Sequence, residues 1–395
     1  MSDDVITTRH KYEAKEDDDA ASTRLDSESE EIEDAPSGRA KGQARGEVSS
    51  EARKQRLIPV VLALGISAIQ MLFMFCLAYA PLHATPKEVP IGIVATGATR
   101  DHIETQLDDV GKDAIDIHYY GTADRARDAI KDRDIYGAIV VSDKGSMSML
   151  VSSAANPTIA NLLKTKATEI ATKAAAEAAK AAAANGQSQP NTGAQASPAA
   201  VPLTVEDVVP ASDDDPNGSG FLATVLPLTL LSLALGVGVA LLEKRPTRAV
   251  GLIGMASITT AIGVSWIAAA MGIFTYNYWG TVGILAALVF GIAATSAGFT
   301  YFGKTGRALD LCFALLLLCV GIPGAGALVP SLLLVEPWRG LGQVLPPGAA
   351  VNSLRGINFF DGTAIEGSVW VLVTWSLVGL ALTLLSTVWM RRQAR

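Results

Sequence analysis

Ionised side chains are missing from six long stretches of this sequence: 57–80, 220–242, 249–274, 281–302, 309–334 and 369–390. Asp310 is the one exception. Each run has the roughly 20 residues a helix needs to cross about 30 Å of hydrocarbon. So much uncharged apolar surface excludes a soluble globular fold and predicts a polytopic α-helical membrane protein. The same scarcity bears on mechanism. Ion-coupled carriers usually place acids, histidines or arginines inside the bundle to bind the ion or relay a proton. This chain shows no such set, so energy for any transport is expected from a partner.

Other absences narrow the field. The three cysteines, Cys76, Cys312 and Cys319, all lie in apolar runs. They read as small packing residues, not as a disulfide or metal set. The four histidines are His10, His83, His102 and His118, at spacings unlike facing metal ligands. No G-x-S-x-G elbow is present. No enzyme activity, cofactor or metal is expected. Lys and Arg are not clustered as phosphate-backbone binding requires, so nucleic acid is not an expected partner. One nucleotide-site pattern does match, at Gly298, Gly303, Lys304 and Thr305. It is rejected, because a phosphate loop follows a buried strand and here Phe299, Tyr301 and Phe302 fill the loop at the end of an apolar run.

The charges that are present set an orientation. Arg53, Lys54 and Arg56 precede the first run, and Lys244, Arg245 and Arg248 separate the second from the third. Lys304 and Arg307 separate the fourth from the fifth, and Arg391, Arg392 and Arg395 follow the sixth. The intervening connections are uncharged or acidic. The positive-inside pattern predicts six transmembrane helices with both termini cytoplasmic, and an extracytoplasmic domain between the first two. Arg307 and Asp310, three apart, are expected to form an interfacial ion pair.

The expected organisation runs as follows. Residues 1–56 form an acidic, disordered cytoplasmic tail, since they hold little that can be buried. Residues 57–80 are the first transmembrane helix, a retained anchor and not a signal peptide. Residues 81–156 form a small α/β domain. Within it 89–94, 114–119, 135–141 and 147–152 read as strands, the last two as a hairpin. A helix is expected over 100–110. Thr122 is expected to cap another running to Lys131, with Ala126, Ala129 and Ile130 inward. Residues 157–219 are an alanine-rich helix and a flexible linker. That helix is expected to be a mobile stalk, with Lys173 and Glu177 paired along it, stopped by Asn185 and Gly186. Residues 220–392 are a five-helix transmembrane domain, with an outer re-entrant or half-helix segment at 336–368 and Trp338 near headgroup level. The fifth run is interrupted by Gly321, Pro323, Gly324 and Gly326. These residues are candidates for a hinge or pathway element, the alternative being a kinked helix packed through small residues.

Three stretches carry a resemblance: VPIGIV at 89–94, TADRARDAIKDRDIYGAIVV at 122–141 and GLGQVLPPGAAVNSLRGINFFDG at 340–362. With the layout of one anchor, an ectodomain and five clustered spans, the chain over 57–392 resembles type-2 ABC exporter permeases. It looks closest to their phage-infection-protein-like (YhgE/Pip-like) branch. The resemblance implies a cell-membrane permease that works as a dimer in the lipid bilayer. A separate cytoplasmic ATPase would drive it to export an amphiphilic or cell-envelope substrate. The alternative is a non-transporting scaffold or receptor, such as a secretion-machinery accessory or a phage adsorption factor.

Overall fold

The computed structural model describes residues 63–80, 82–84, 88–95, 115–142, 146–184, 203–327 and 329–393. The expected tail at 1–56, the helix at 100–110 and the linker at 187–202 lie outside these residues.

Short β-branched runs separated by helical periodicity build an α/β domain after the first apolar helix, α1 (Ala63–Ala80). Strands β1 (Val89–Val94) and β2 (Ile115–Tyr119) pair in parallel. Helix α2 (Ala123–Lys131) follows, with the Thr122 side chain accepting from the Arg125 N–H. It buries Ala126, Ala129 and Ile130, the apolar face its spacing predicts. Strand β3 (Gly137–Val141) pairs parallel to β1 and antiparallel to β4 (Met147–Val151). Helix α3 (Pro157–Ala184) then leads to β5 (Leu203–Asp207), which pairs parallel to β4. The sheet order is β2-β1-β3-β4-β5. Alternate residues along the strands serve opposite faces. Ala138 and Leu150 meet α2, while Ile139 and Met149 meet α3.

Two expectations change here. Helix α3 is not a detached stalk: Ile159, Ala160, Leu163, Ala167 and Ala171 are buried, most of them against the sheet. Alanines every third or fourth position allow close approach, which compensates for their small apolar area. Lys173 pairs with Glu169 at 3.1 Å, on the N-terminal side of the expected partner Glu177, whose side chain lies outside the described set. Strand β5 lies where the sequence predicts a flexible linker. Its partner is reached only across α3, and Glu206 fastens it to α2. Arg127 donates from Nε and Nη2 to the two Glu206 oxygens at 2.9 and 2.8 Å. That pairing holds the Glu206 carboxyl below its ordinary range.

Asp215 joins this domain to the next helix. Its carboxylate accepts from the Ser219 N–H, the Ser219 hydroxyl and the Gly220 N–H, each within 2.9 Å. These are free donors at the start of α4 (Ser219–Leu242). Helices α5 (Pro246–Ala270), α6 (Tyr278–Tyr301) and, at the C-terminal end, α10 (Glu366–Gln393) complete the long apolar set. Among the described residues five helices are long and apolar enough to cross a membrane: α1, α4, α5, α6 and α10. Helix α6 is the most buried of them and packs against α4, α5 and α10.

The interrupted span expected at 309–334 is not one helix. Helix α7 (Gly303–Leu316) passes into a π-helical turn at Leu317–Gly321 and 3-10 turns at Pro323–Ala325 and Ser331–Leu333. Two short helices follow, α8 (Trp338–Val344) and α9 (Pro346–Phe359), the half-helices expected in this segment. Pro323 supplies the physical reason, since it has no N–H and its ring clashes with the preceding turn.

Small residues set the closest approach of α6 and α10. A Cβ on Gly379 would lie 2.6 Å from the Thr295 nitrogen, and one on Gly298 would lie 2.6 Å from the Leu382 Cβ. Gly263 on α5 has open space instead. Gly379→Ala is therefore expected to destabilise the detergent-purified protein by about 1–3 kcal/mol through overpacking. Gly263→Ala is expected to be neutral or stabilising, since alanine favours helix by about 1 kcal/mol. Thermal unfolding of the two variants checks this. Equal midpoints would contradict the contact.

Candidate functional site

The sequence LLCVGIPGAG at 317–326 cannot continue an α-helix, and its freed carbonyls need donors. The π turn satisfies one directly, the Ile322 N–H donating to the Leu317 carbonyl at 2.8 Å. The carbonyl four residues before Pro323 belongs to Cys319. It accepts from the Trp338 indole N–H at 2.7 Å. The Gly324 carbonyl accepts from Gln343 Nε2 at 2.9 Å. The Gly326 carbonyl accepts from both Nη atoms of Arg355 at 3.3 Å. All three donors come from α8 and α9. Trp338 is thus a buried support for the break, 9 % exposed.

The four candidate hinge residues sit in this break with distinct surroundings. Gly326 has φ 75°, a left-handed conformation that suits glycine. Gly324 lies against Gly342, with its would-be Cβ 2.6 Å from the Trp338 carbonyl. A Cβ on Gly321 would meet Pro347 at 3.3 Å, and Pro323 is buried. Close backbone packing thus accompanies the break. Cys319 packs with Cys76 of α1, both as free thiols.

Beside the break lies a cavity of about 210 Å³. Ala325, Gly326, Ser331 and Gln343 line one side, Asn352 and Arg355 of α9 another, and Arg133 and Tyr136 of the α/β domain a third. Arg133 reaches it from the turn after α2. There its φ of 66° is unusual for a residue with a side chain and costs of order 1–3 kcal/mol. Its Nη2 donates to Asn352 Oδ1 at 2.5 Å, and its guanidinium lies 5.3 Å from the Phe360 ring centre. Arg355 is 7 % exposed, with its guanidinium 4.6 Å from the Phe221 ring centre. Its Nε–H has no hydrogen-bond partner among the described residues.

No carboxylate lines the cavity among the described residues. Burial pulls the Arg133 guanidinium below its ordinary value, against the pull of the Tyr136 phenol. Burial pushes the Tyr136 phenol up, while Arg355 and Arg133 draw it back. Two guanidiniums and the Tyr136 side chain thus line one polar cavity, and among the described residues no carboxylate lines it with them.

Arg307 and Asp310 lie apart from this site, on α7. Arg307 is exposed, and Asp310 is buried beside Ser296 with one carboxylate oxygen lacking a hydrogen-bond partner. Among the described residues no ion pair joins the two. Helical spacing makes them neighbours, yet the Asp310 side chain turns toward α6. The residues of the rejected nucleotide pattern form the end of α6, a turn and the start of α7, without a preceding strand.

The sequence reading missed Arg133, Tyr136, Gln343, Asn352 and Arg355 as a group. One signal was available. Arg355 is the only charged residue between Arg339 and Asp361, in a stretch otherwise rich in Gly, Pro and apolar residues.

No curated protein and no solved structure matches the chain. Residues 57–385 match the family described as ABC-2 family transporter protein. The match takes in the apolar helices, the α/β domain and the broken segment together. The chain therefore belongs to the ABC-2 transporter family, as a multi-pass membrane permease of the ABC transporter class.

Proposed function

We propose that the chain is the permease subunit of an ATP-driven exporter, of the YhgE/Pip-like branch, energised by a separate cytoplasmic ATPase. Its substrate is an amphiphilic or cell-envelope molecule, and it works as a dimer in the cell membrane. The observation that carries this reading is the family match across 57–385. Helix α7 with its π turn serves as the sixth crossing. Residues 303–321 at about 1.5 Å each reach close to the roughly 30 Å of hydrocarbon. The chain then turns back through α8 and α9 on the outer side, where the α/β domain meets them. The basic turn between α4 and α5, with Lys244 and Arg245 exposed, faces the cytoplasm and is the contact for the ATPase.

One observation favours the second reading, a non-transporting scaffold or receptor. Only Glu243 to Arg245 separate α4 from α5, a small surface for an ATPase to grip. Affinity purification of the full chain in mild detergent, followed by mass spectrometry and an ATPase assay, separates the two. An ABC-type ATPase subunit with ATP hydrolysis is expected to copurify. Recovery of a stable assembly with neither favours the scaffold.

Topology is tested by single cysteines in a chain whose own three are replaced by alanine. Ser146→Cys and Glu366→Cys are expected to react with a membrane-impermeant maleimide on intact cells, and Thr305→Cys only after lysis. All three positions are exposed in the structure. Labelling of Thr305→Cys from outside would overturn the six-span arrangement.

A further inference from the structure

We propose that the cavity between Arg133 and Arg355 is a binding site for a phosphate group, either free or carried by a lipid headgroup. The inference rests on the cavity alone. It holds whichever of the two functional readings is correct.

Charge is the first argument. Two guanidiniums line one cavity, and among the described residues no Asp or Glu lines it with them. Burying charge without a partner is costly, so buried arginines are normally met by anions. Among the described residues these two are met by neutral groups only: the Asn352 amide oxygen, the Thr363 and Gly326 carbonyls, and the Phe221 and Phe360 rings.

Unused donors are the second argument. The Arg355 Nε–H is buried without a partner among the described residues, so that guanidinium is under-satisfied even though this atom does not itself open onto the cavity. Arg355 also cannot swing to water, because both Nη atoms are held at the Gly326 carbonyl. The Tyr136 and Ser331 side chains line the same space. Donors thus converge from the α/β domain, the broken segment and α9, so an anion with several oxygens can be met from three directions. Guanidinium forks suit phosphate for this reason.

Size is the third. A volume of about 210 Å³ is enough for a phosphate group with a short attachment and small beside a whole lipid. A lipid would enter by its headgroup only.

Backbone conformation is the fourth. Arg133 holds its guanidinium here from a left-handed backbone position at φ 66°, where Asn or Gly would sit with less strain. A strained residue that points a cation into a cavity fits a binding role.

The test uses the full chain, purified in a neutral detergent at fixed ionic strength. Thermal unfolding is followed while inorganic phosphate is titrated in one arm and phosphatidylglycerol in the other. Phosphatidylcholine and sodium chloride serve as controls. At about a hundredfold excess over Kd, ligand binding to the folded state is expected to raise the midpoint by a few degrees. Arg133→Asn keeps a residue that tolerates positive φ and removes the charge. It is expected to weaken the response by about tenfold or more in Kd. Arg133→Lys is expected to restore part of it, and Lys304→Ala to leave it unchanged. Arg355→Gln is expected to lower the starting midpoint as well, so Arg133→Asn decides if that variant fails to fold. A response to phosphate identifies a free-anion site. A response to phosphatidylglycerol alone identifies a headgroup site. No response in the parent chain, or an equal response in Arg133→Asn, overturns the proposal and leaves the arginines as structural residues around water.

Discussion

Three backbone carbonyls decide how the C-terminal third of this protein folds. A helix entering hydrocarbon carries its own hydrogen bonds, and a broken one does not. Pro323 removes the donor for Cys319, and the turns that follow free Gly324 and Gly326. Each orphan costs several kcal/mol if it faces lipid. Trp338, Gln343 and Arg355 supply the missing donors, and all three lie in α8 and α9. The short helices are therefore a second half of the broken one. The break is possible because they cover it, and they are held in place by what it leaves unsatisfied.

Elsewhere in the bundle the packing follows the other route open to a membrane protein. With no hydrophobic gain between apolar helices in lipid, association rests on close contact and hydrogen bonds. Helix α6 presents Gly291, Ala294, Thr295 and Gly298 toward α10, where Gly379 lets the two backbones approach. Thr383 adds a hydrogen bond to the Ala294 carbonyl at 2.8 Å. The chain thus divides its small residues between two tasks. On α6 and α10 they tighten straight helices. At 321–326 they allow a turn and a glycine-to-glycine contact.

Local patterns were legible and long-range ones were not. The bounds of β1, α2 and α3 follow from residues within a few positions of one another: a β-branched run, a Thr cap, alanines after Pro157. The half-helices were announced by their prolines. The break itself was visible as Gly and Pro, yet hydropathy counts apolar residues and not hydrogen bonds, so 309–334 still read as a span. Strand β5 is short and gains its order from β4 and Arg127. The cavity depends on Arg133 meeting Asn352 across 219 positions of sequence. No periodicity encodes such a meeting. Arg355 carried the one usable hint, a lone charge in an apolar stretch. The hydrogen bond from Trp338 to the Cys319 carbonyl was not legible, because an indole N–H can serve any acceptor the fold brings to it.

Arg355 ties the cavity to the break. The same guanidinium that holds the Gly326 carbonyl with its two Nη atoms lies over the Phe221 ring at the start of α4. Arg133 approaches from a domain built on a different part of the chain. Any anion drawn between the two would relieve their mutual repulsion and so favour the arrangement in which domain, break and α4 are all engaged. By reciprocity, whatever opens the break would weaken hold on that anion by the same free energy. Both cations sit where the α/β domain, the break and the start of α4 meet, and Arg355 is the side chain that the break and the cavity share.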